Sequence, residues 1–282
     1  MNLSRAKAKT AACAALLATG VLALSGCSAT GSEDTIRIGI KYDQPGLGYQ
    51  DGRDYTGFDT DVARYVAAEL GYSEDQIEWV EAPSANRENM LTNNQVDMIF
   101  ATYSITEKRL KTVDFAGPYF VAGQDLLVQA ENTDITGPES LAGKNLCSVT
   151  GSTSAKKIQD KYSSEVQLVQ QNSYSDCVVA LNAGMVDAVT TDDIILAGLA
   201  STKANQGELK LVGNTFSTEN YGVGLSKGSD KCAAINAAIN KMVETGAWEE
   251  AIKKNVGAAN YTYNAELNPP VLTDACVTVD AK

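Results

Sequence analysis

The sequence predicts an α/β protein made of two similar α/β lobes. Apolar, strand-like runs alternate with amphipathic, helix-like segments along the chain, which is typical of mostly parallel sheets. In addition, residues 91–102 align without a gap against residues 181–192, and both stretches predict a helix end, a tight turn and a buried strand. Because Val-Asp before an apolar run is common in α/β proteins, a chance similarity of the two stretches is the alternative to a repeat.

The first lobe begins with a predicted strand over residues 36–40, where the side chains alternate with a period of two. A polar, Gly-rich loop follows over residues 41–57. A helix then starts near Asp59 and is ended by Gly71. The remaining elements predicted here are a strand at 77–80, a helix near 87–91 and a buried apolar run at 96–101.

The second lobe is predicted to begin after a strand at 125–129 and to end near Asn214. A strand at 221–225 then leads into an amphipathic helix that starts near Ser229. This helix is expected to pack back on the first lobe, so that two strands cross between the lobes and form a hinge. The expected bounds are 35–126 with 222–282 for the discontinuous first lobe and 127–221 for the second.

The strand ends indicate where a ligand would lie. In open α/β sheets, ligands bind beyond the carboxyl ends of the strands. Thr102 and Asp192 occupy that place in the two aligned stretches. We therefore expect a site between the lobes that includes both residues.

The first 34 residues have the pattern of an export signal and a tether. Basic residues precede a charge-free apolar stretch at 11–24, the order of a secretory signal, and this stretch is short for a membrane span. Its end, LSGC at 24–27, resembles the lipobox of bacterial lipoproteins. We expect residues 1–26 to be a lipoprotein signal peptide, Cys27 to carry acyl chains such as palmitate, and residues 27–34 to tether the protein to the outer face of the cytoplasmic membrane. An ordinary signal peptide is the alternative.

The composition excludes several classes of function. The chain has 282 residues, 23 Lys and Arg against 35 Asp and Glu, a net charge of −12 and no His. Catalytic triads and metal sites that need His are therefore excluded, and the acidic balance argues against a nucleic-acid partner. Loss of residues 1–26 would remove three basic and no acidic side chains, leaving 20 against 35 and a net charge near −15. We expect no metal and no cofactor.

Four cysteines follow the signal and the lipobox cysteine, namely Cys147, Cys177, Cys232 and Cys276. In an exported protein, four cysteines suggest two disulfides, for which three connectivities are possible. Pairing Cys147 with Cys177 and Cys232 with Cys276 keeps each bridge within one lobe and is the favoured arrangement. Their spacing does not fit a zinc site.

The segment 100–115, FATYSITEKRLKTVDF, resembles the polar amino-acid-binding proteins of ABC importers, the family 3 solute-binding proteins. The resemblance implies a type II periplasmic-binding-protein-like fold, a monomer, no cofactor, and an amino acid that is held between the lobes and delivered to an ABC permease. Segments 41–48 and 81–88 further resemble the glutamate-binding lipoproteins of high-GC Gram-positive bacteria. The resemblance also includes residues 57–59, 143–144, 151–153, 186–192 and 221–224 and thus covers nearly the whole chain after the signal.

The resemblance implies a role for several polar residues in holding the amino-acid head group. Arg109 would pair with the α-carboxylate, since a planar guanidinium offers it two parallel donors. Asp192 would accept the α-ammonium. Thr102 and Ser104 would contribute from the first lobe, and Ser152 and Thr153 from a helix N-terminus that favours a carboxylate. The alternative for each Ser or Thr is a cap or turn.

Two cations are expected around the ligand side chain. Lys41 stands where acidic-amino-acid binders tend to carry a base, and Ser84 with Arg87 matches a segment that grasps a distal carboxylate. Together they indicate glutamate, with aspartate as a further candidate. A solvent-facing Lys41 is the alternative. Where some relatives place a Tyr lid over the ligand, this chain has Gln44, for which Tyr42 or Tyr49 could substitute.

The leading prediction is therefore a lipid-tethered receptor that captures glutamate, or aspartate, for an ABC importer. The alternative is a secreted dehydratase-like enzyme on the same fold, acting on a carboxylated substrate. Because Arg109 and Asp192 match partners of an amino-acid head group, the carrier is favoured and no enzymatic activity is expected.

Overall fold

The computed structural model describes residues 35–162, 166–259 and 261–278. The predicted signal peptide, the lipobox Cys27 and the tether lie outside these residues. None of the helices in the described ranges combines the length and the apolar character that a membrane span requires.

The described chain alternates between strands and helices as the sequence pattern predicts. The strands are β1 (Ile36–Ile40), β2 (Tyr49–Asp51), β3 (Asp54–Thr56), β4 (Ile77–Glu81), β5 (Met98–Phe100), β6 (Val113–Ala122), β7 (Gln124–Gln129), β8 (Asn145–Val149), β9 (Gln167–Gln171), β10 (Ala188–Asp192), β11 (Leu209–Leu211) and β12 (Glu219–Ser226). The helices are α1 (Phe58–Glu69), α2 (Arg87–Thr92), α3 (Glu107–Leu110), α4 (Thr153–Tyr162), α5 (Tyr174–Asn182), α6 (Asp193–Ala200), α7 (Cys232–Glu244) and α8 (Ala247–Val256).

Two five-stranded sheets, each flanked by helices, form the two lobes. The first sheet has the order β4-β1-β5-β12-β6 and the second has the order β11-β7-β10-β8-β9. In the first sheet only β12 runs against its neighbours, and in the second only β7 does. Both sheets are therefore mostly parallel, and the predicted two-lobed α/β architecture is confirmed.

The chain changes sheet twice. The strand β6 ends at Ala122 in the first sheet, and β7 starts at Gln124 in the second, so that Gly123 joins them. The return runs between β11 and β12, which lies wholly in the first sheet. The expected bounds of 126/127 and 221/222 place both transitions a few residues too late, whereas the predicted end of the second lobe near Asn214 lies within the observed return. A local pattern locates a strand but does not identify the strands with which it pairs.

The aligned stretches adopt the same local structure in both lobes. Each forms a helix end, a turn and a strand, at β5 in one lobe and β10 in the other. The turn residues Asn94 and Gly184 both have left-handed φ angles, of 52° and 67°. The aspartates that follow, Asp97 and Asp187, accept equivalent hydrogen bonds from the backbone N–H groups of Arg37 (2.8 Å) and Asn145 (2.7 Å) on the neighbouring strands.

Both favoured disulfides are present in the structure. Cys147 in β8 is bonded to Cys177 in α5, and Cys232 in α7 is bonded to Cys276 near the C-terminus. The bridges close segments of 30 and 44 residues, which in the chain-entropy view stabilises the fold by about 3 to 4 kcal/mol each. The second bridge holds the C-terminal segment on the first lobe, where Asn236 Nδ2 also donates to the backbone oxygens of Thr273 and Ala275.

Candidate ligand-binding site between the lobes

A small cavity lies where β5 and β10 end. It leaves about 10 Å³ for the centre of a water-sized sphere, which is room for about one water molecule. An amino acid therefore fits only if side chains or lobes move apart. The cavity is lined by the predicted residues Ser84, Arg87, Thr102, Ser152, Thr153 and Asp192, and in addition by Ser154, Tyr174, Thr191 and Ile195.

Thr102 is held in an unusual backbone conformation. Its φ of 45° lies in the left-handed region, which a β-branched residue rarely adopts. Its N–H donates to the Asp59 carboxylate at 2.9 Å, and this carboxylate also accepts from the Tyr119 hydroxyl at 2.8 Å. Burial raises the pKa of Asp59 to about 6. Such conformations persist where surrounding contacts fix them, and they cluster at functional sites.

The hydroxyl residues of the two lobes meet at one side of the cavity. Ser104 Oγ in the first lobe lies 3.3 Å from Thr153 Oγ1 at the start of α4. Ser152 caps this helix, because its Oγ accepts from the Ala155 N–H at 2.9 Å. The backbones also approach closely here, since a Cβ on Gly151 would lie 2.6 Å from the Cα of Ala85.

Arg109 is buried beside these hydroxyls, with all three guanidinium nitrogens engaged. Its Nε donates to Glu88 Oε1 at 2.9 Å, and its Nη1 donates to the Ser104 backbone oxygen at 2.7 Å. Its Nη2 crosses to the second lobe and donates to the Gly151 backbone oxygen at 3.1 Å. Arg109 does not line the small cavity but an adjoining groove of about 910 Å³, which opens to the surface.

Arg87 is the cation that reaches into the cavity. It is only 2% exposed, and its Nη1 donates to the Ala101 backbone oxygen at 2.7 Å. Its Cζ lies 4.2 Å from the centre of the Tyr103 ring, which Arg109 also contacts, at 4.8 Å. Burial and the nearby charge of Arg109 lower the pKa of Arg87 to about 10, so it stays charged at neutral pH. Its Nε has no acceptor among the described residues.

Lys41 is buried rather than facing solvent, which excludes that alternative. It is 2% exposed, and its Nζ lies 3.3 Å from Asp43 Oδ1. Burial lowers the pKa of Lys41, and the charge of Arg87 lowers it further. Lys41 therefore belongs to the same electrostatic environment as Arg87, although it does not line the cavity itself.

Asp192 ends β10 and is also buried. The Tyr221 hydroxyl, which belongs to the first lobe, donates to its Oδ2 at 2.6 Å. Burial, together with the charge of Glu219, raises the pKa of Asp192 to about 8. The site thus combines guanidinium donors with a carboxyl whose pKa is raised.

The aromatic that lines the cavity is one the sequence did not indicate. Tyr174 lines it from the second lobe, whereas Tyr42 and Tyr49, the two candidates, do not. Tyr42 instead donates to the Trp79 backbone oxygen at 2.9 Å. Gln44 is buried against Thr102 Oγ1 at 3.2 Å. The N-cap pattern of Ser173 and Asp176 could have placed Tyr174 at the start of a helix. The local sequence does not show, however, that this helix faces the cleft.

Several polar residues that position the site also escaped sequence reasoning, because they act through tertiary contacts. These are Asp43, Glu88, Tyr103 and Tyr221.

Within the described ranges, no group of three or more His, Cys, Asp or Glu side chains could hold a metal ion.

Comparisons with known proteins agree on one family. The model of the bacterial extracellular solute-binding proteins, family 3, matches residues 36–258. The chain is 43% identical over 234 residues to a glutamate-binding protein of Corynebacterium efficiens, with 79% of each chain covered. It is 37% identical over 225 residues to an ABC transporter glutamine-binding protein of Bacillus subtilis, covering 78% of this chain and 81% of that one. Among solved structures, an ancestral arginine-binding protein bound to glutamine matches with a TM-score of 0.72 and 33% identity, over 79% of this chain and 98% of that one.

Proposed function

Because the chain belongs to the bacterial extracellular solute-binding proteins, family 3, we propose that it captures an acidic amino acid, glutamate before aspartate, between its lobes. Proteins of this family serve amino-acid ABC importers as binding components and not as enzymes, so the dehydratase alternative is not retained.

The observation that carries the proposal is the charge around Arg87. This guanidinium is buried and lines the cavity, and one of its nitrogens, Nε, has no acceptor in the part of the chain that the structure describes. Lys41 is equally buried nearby, and among the described residues Asp43 is the one acid that forms a salt bridge with it. Buried cations are stable when they are paired and hydrogen-bonded. A side-chain carboxylate of the ligand would supply the missing negative charge and acceptor, which a neutral amide would supply only in part.

The head group would be held at Arg109 and Asp192. Glu88 and the Ser104 carbonyl fix the plane of the Arg109 guanidinium, and its Nη2 contact with Gly151 is the longest of the three. That contact would be replaced by a bond to the α-carboxylate, which is the stronger interaction because donor and acceptor are then both charged. Asp192 would release its proton and pair with the α-ammonium.

Titration calorimetry with Glu, Asp, Gln and Arg tests the ligand. A charged hydrogen bond contributes about 1 to 3 kcal/mol, so Glu is expected to bind roughly 5- to 150-fold more tightly than Gln. Since the relatives include both a glutamate-binding and a glutamine-binding protein, this pair is the decisive comparison. Tighter binding of Gln would overturn the acidic-ligand proposal.

We further propose that Cys27 anchors the protein to the outer face of the cytoplasmic membrane as a monomer that docks on its permease. The motif LSGC at 24–27 supports acylation, and more than one acyl chain is needed for firm attachment. Mass spectrometry of the membrane-extracted protein should find acyl chains on Cys27, and Cys27→Ser should release the protein into the medium. Retention of the Cys27→Ser protein in the membrane would contradict the anchor.

A further inference from the structure

The loop after β1 contacts the second lobe through Asp43. One carboxylate oxygen of this residue, Oδ2, accepts a hydrogen bond from the backbone N–H of Tyr174 at 2.9 Å. Its backbone oxygen accepts from the Ser175 hydroxyl at 3.1 Å. Because Tyr174 begins α5, the carboxylate of Asp43 lies at the N-terminus of this helix, where the macrodipole favours negative charge.

The other carboxylate oxygen of Asp43 faces its own lobe. Oδ1 lies 3.3 Å from the Nζ of Lys41, a side chain that is only 3% exposed. Asp43 therefore has two partners of different kinds, a buried cation of the first lobe and a helix N-terminus of the second. The second partner is within reach only while the lobes are together.

The same loop makes a steric contact with the next helix of the second lobe. A Cβ on Gly198, in α6, would lie 2.0 Å from the backbone oxygen of Pro45. The backbone of Gly198 is not left-handed, so the lack of space and not the conformation requires glycine here. The loop and both helices thus fit together only when residue 198 has no side chain.

We propose that Asp43 links closure of the lobes to recognition of the acidic ligand side chain, through Lys41. While the lobes are apart, Lys41 is the charged partner of Asp43, and the Asp43 carboxylate compensates the positive charge of Lys41. When the N-terminus of α5 docks on Asp43, the helix and Lys41 share the Asp43 carboxylate. The charge of Lys41 is then compensated less, so more of its positive field acts on the ligand. Asp43 is a positioning residue in this scheme. The inference rests on the proposed function for the identity of the ligand, but not for the docking contact.

Two substitutions, alone and combined, separate this role from simple helix capping. Asp43→Asn keeps an oxygen that can accept from the Tyr174 N–H but removes the charge, so the ratio of Glu to Gln affinity should rise about fivefold. Gly198→Ala inserts a methyl group against Pro45 and should hinder full closure, while Ala favours the helix more than Gly does. Gly257→Ala is the matched control, since nothing lies within 4 Å of a Cβ there.

The decisive result is the coupling between the two substitutions. In the wild-type background, Gly198→Ala should weaken Glu binding several-fold more than Gln binding, because Lys41 remains compensated by Asp43. In the Asp43→Asn background, Gly198→Ala should weaken the binding of Glu and of Gln equally. Equal weakening in the wild-type background, or an unchanged Glu to Gln ratio in Asp43→Asn, would overturn the proposal.

A closure measurement separates failure of this inference from failure of the proposed function. Small-angle X-ray scattering at saturating concentrations of whichever amino acid binds best should show a larger radius of gyration for Gly198→Ala than for Gly257→Ala. If Gln binds better than Glu but this difference is present, the acidic ligand is refuted and the docking contact stands. If the radii are equal, the docking contact is refuted whatever the ligand. Circular dichroism melting verifies that each variant folds.

Discussion

At the scale of single residues, the site places two buried cations beside one carboxylate. Arg87 and Arg109 are both buried and both contact the ring of Tyr103, and Glu88 bonds to Arg109. Burial raises the pKa of Glu88, but the attraction of the two guanidinium groups outweighs it and the net pKa is lowered. The carboxylate therefore stays ionised and partly compensates the two cations. Their remaining positive charge is what an anionic ligand would meet.

Asp192 leads to a prediction about pH. Its pKa is raised to about 8 by burial and by the charge of Glu219, which favours the protonated carboxyl near neutral pH. A ligand ammonium requires the carboxylate, and binding at pH 7 should therefore release a proton. Affinity should fall as the pH drops below about 8, by up to about tenfold per unit. Calorimetry in buffers of different ionisation enthalpy measures the released proton.

Asp192→Asn provides the control, because residue 192 then cannot titrate and binding should depend on pH much less than in the wild type between pH 7 and 8, above the pKa of about 6 of Asp59. In the unliganded protein, the stability of the fold depends on pH with the opposite sign to the ligand affinity. A carboxyl whose pKa is raised by folding stabilises the fold at low pH, and this contribution is lost as the pH rises through about 8. Proton-neutral binding at pH 7 would contradict the assignment of Asp192 to the ammonium.

The motif residues were predictable from sequence, and their partners were not. Arg109, Thr102 and Asp192 stand in recognisable segments, so their place near the cleft could be predicted. Tyr174 and Asp43 reach the site through contacts between segments that are more than a hundred residues apart. No local pattern records such a contact, since it depends on how the lobes meet.

At the scale of elements, the sequence predicted where helices and strands lie but not how the strands are shared between sheets. The strand β1 and the helix α1 follow from their periodicities, and the repeat correctly indicates equivalent helix-turn-strand units in the two lobes. The strand β7 was expected to precede the second lobe, whereas it pairs with β10 and β11 inside it. Pairing is a non-local property, so periodicity could not supply it.

The N-terminus of α4 gives the element-scale prediction. Ser152 Oγ accepts from the Ala155 N–H at 2.9 Å, and the residue also lines the cavity. Ser152→Ala should therefore lower the free energy of unfolding by about 1 kcal/mol and also weaken ligand binding several-fold. Ser173→Ala is the matched comparison for stability, since Ser173 caps α5 by accepting from the Asp176 N–H at 3.0 Å. Denaturant unfolding and calorimetry measure the two effects, and unchanged ligand affinity in Ser152→Ala would leave this residue with a capping role alone.

At the scale of the whole molecule, the chain is strongly acidic and yet is proposed to bind an anion. The net charge is −12, but the groove beside Arg109 is lined by more bases than acids. Two of its lysines, Lys156 and Lys157, are paired with Asp160 and Glu219. The distribution of charge, and not its sum, therefore determines the field that a ligand meets on approach. The lysines of the groove without a salt bridge to a described residue are Lys108 and Lys111.

Lys108 and Lys111 should accelerate the association of an anionic ligand. Both are exposed in the groove that leads to Arg109, and charges there act over about 10 Å at 0.1 M salt. Replacing both by Gln should lower the association rate constant for Glu about threefold at low salt and leave the dissociation rate constant unchanged. The matched control replaces Lys203 and Lys253, which are exposed outside the groove, and changes the net charge equally. Stopped-flow fluorescence at increasing salt measures the association and dissociation rate constants of both variants. The difference between the two variants should vanish at high salt, whereas an equal loss in both would mean that net charge alone governs the encounter.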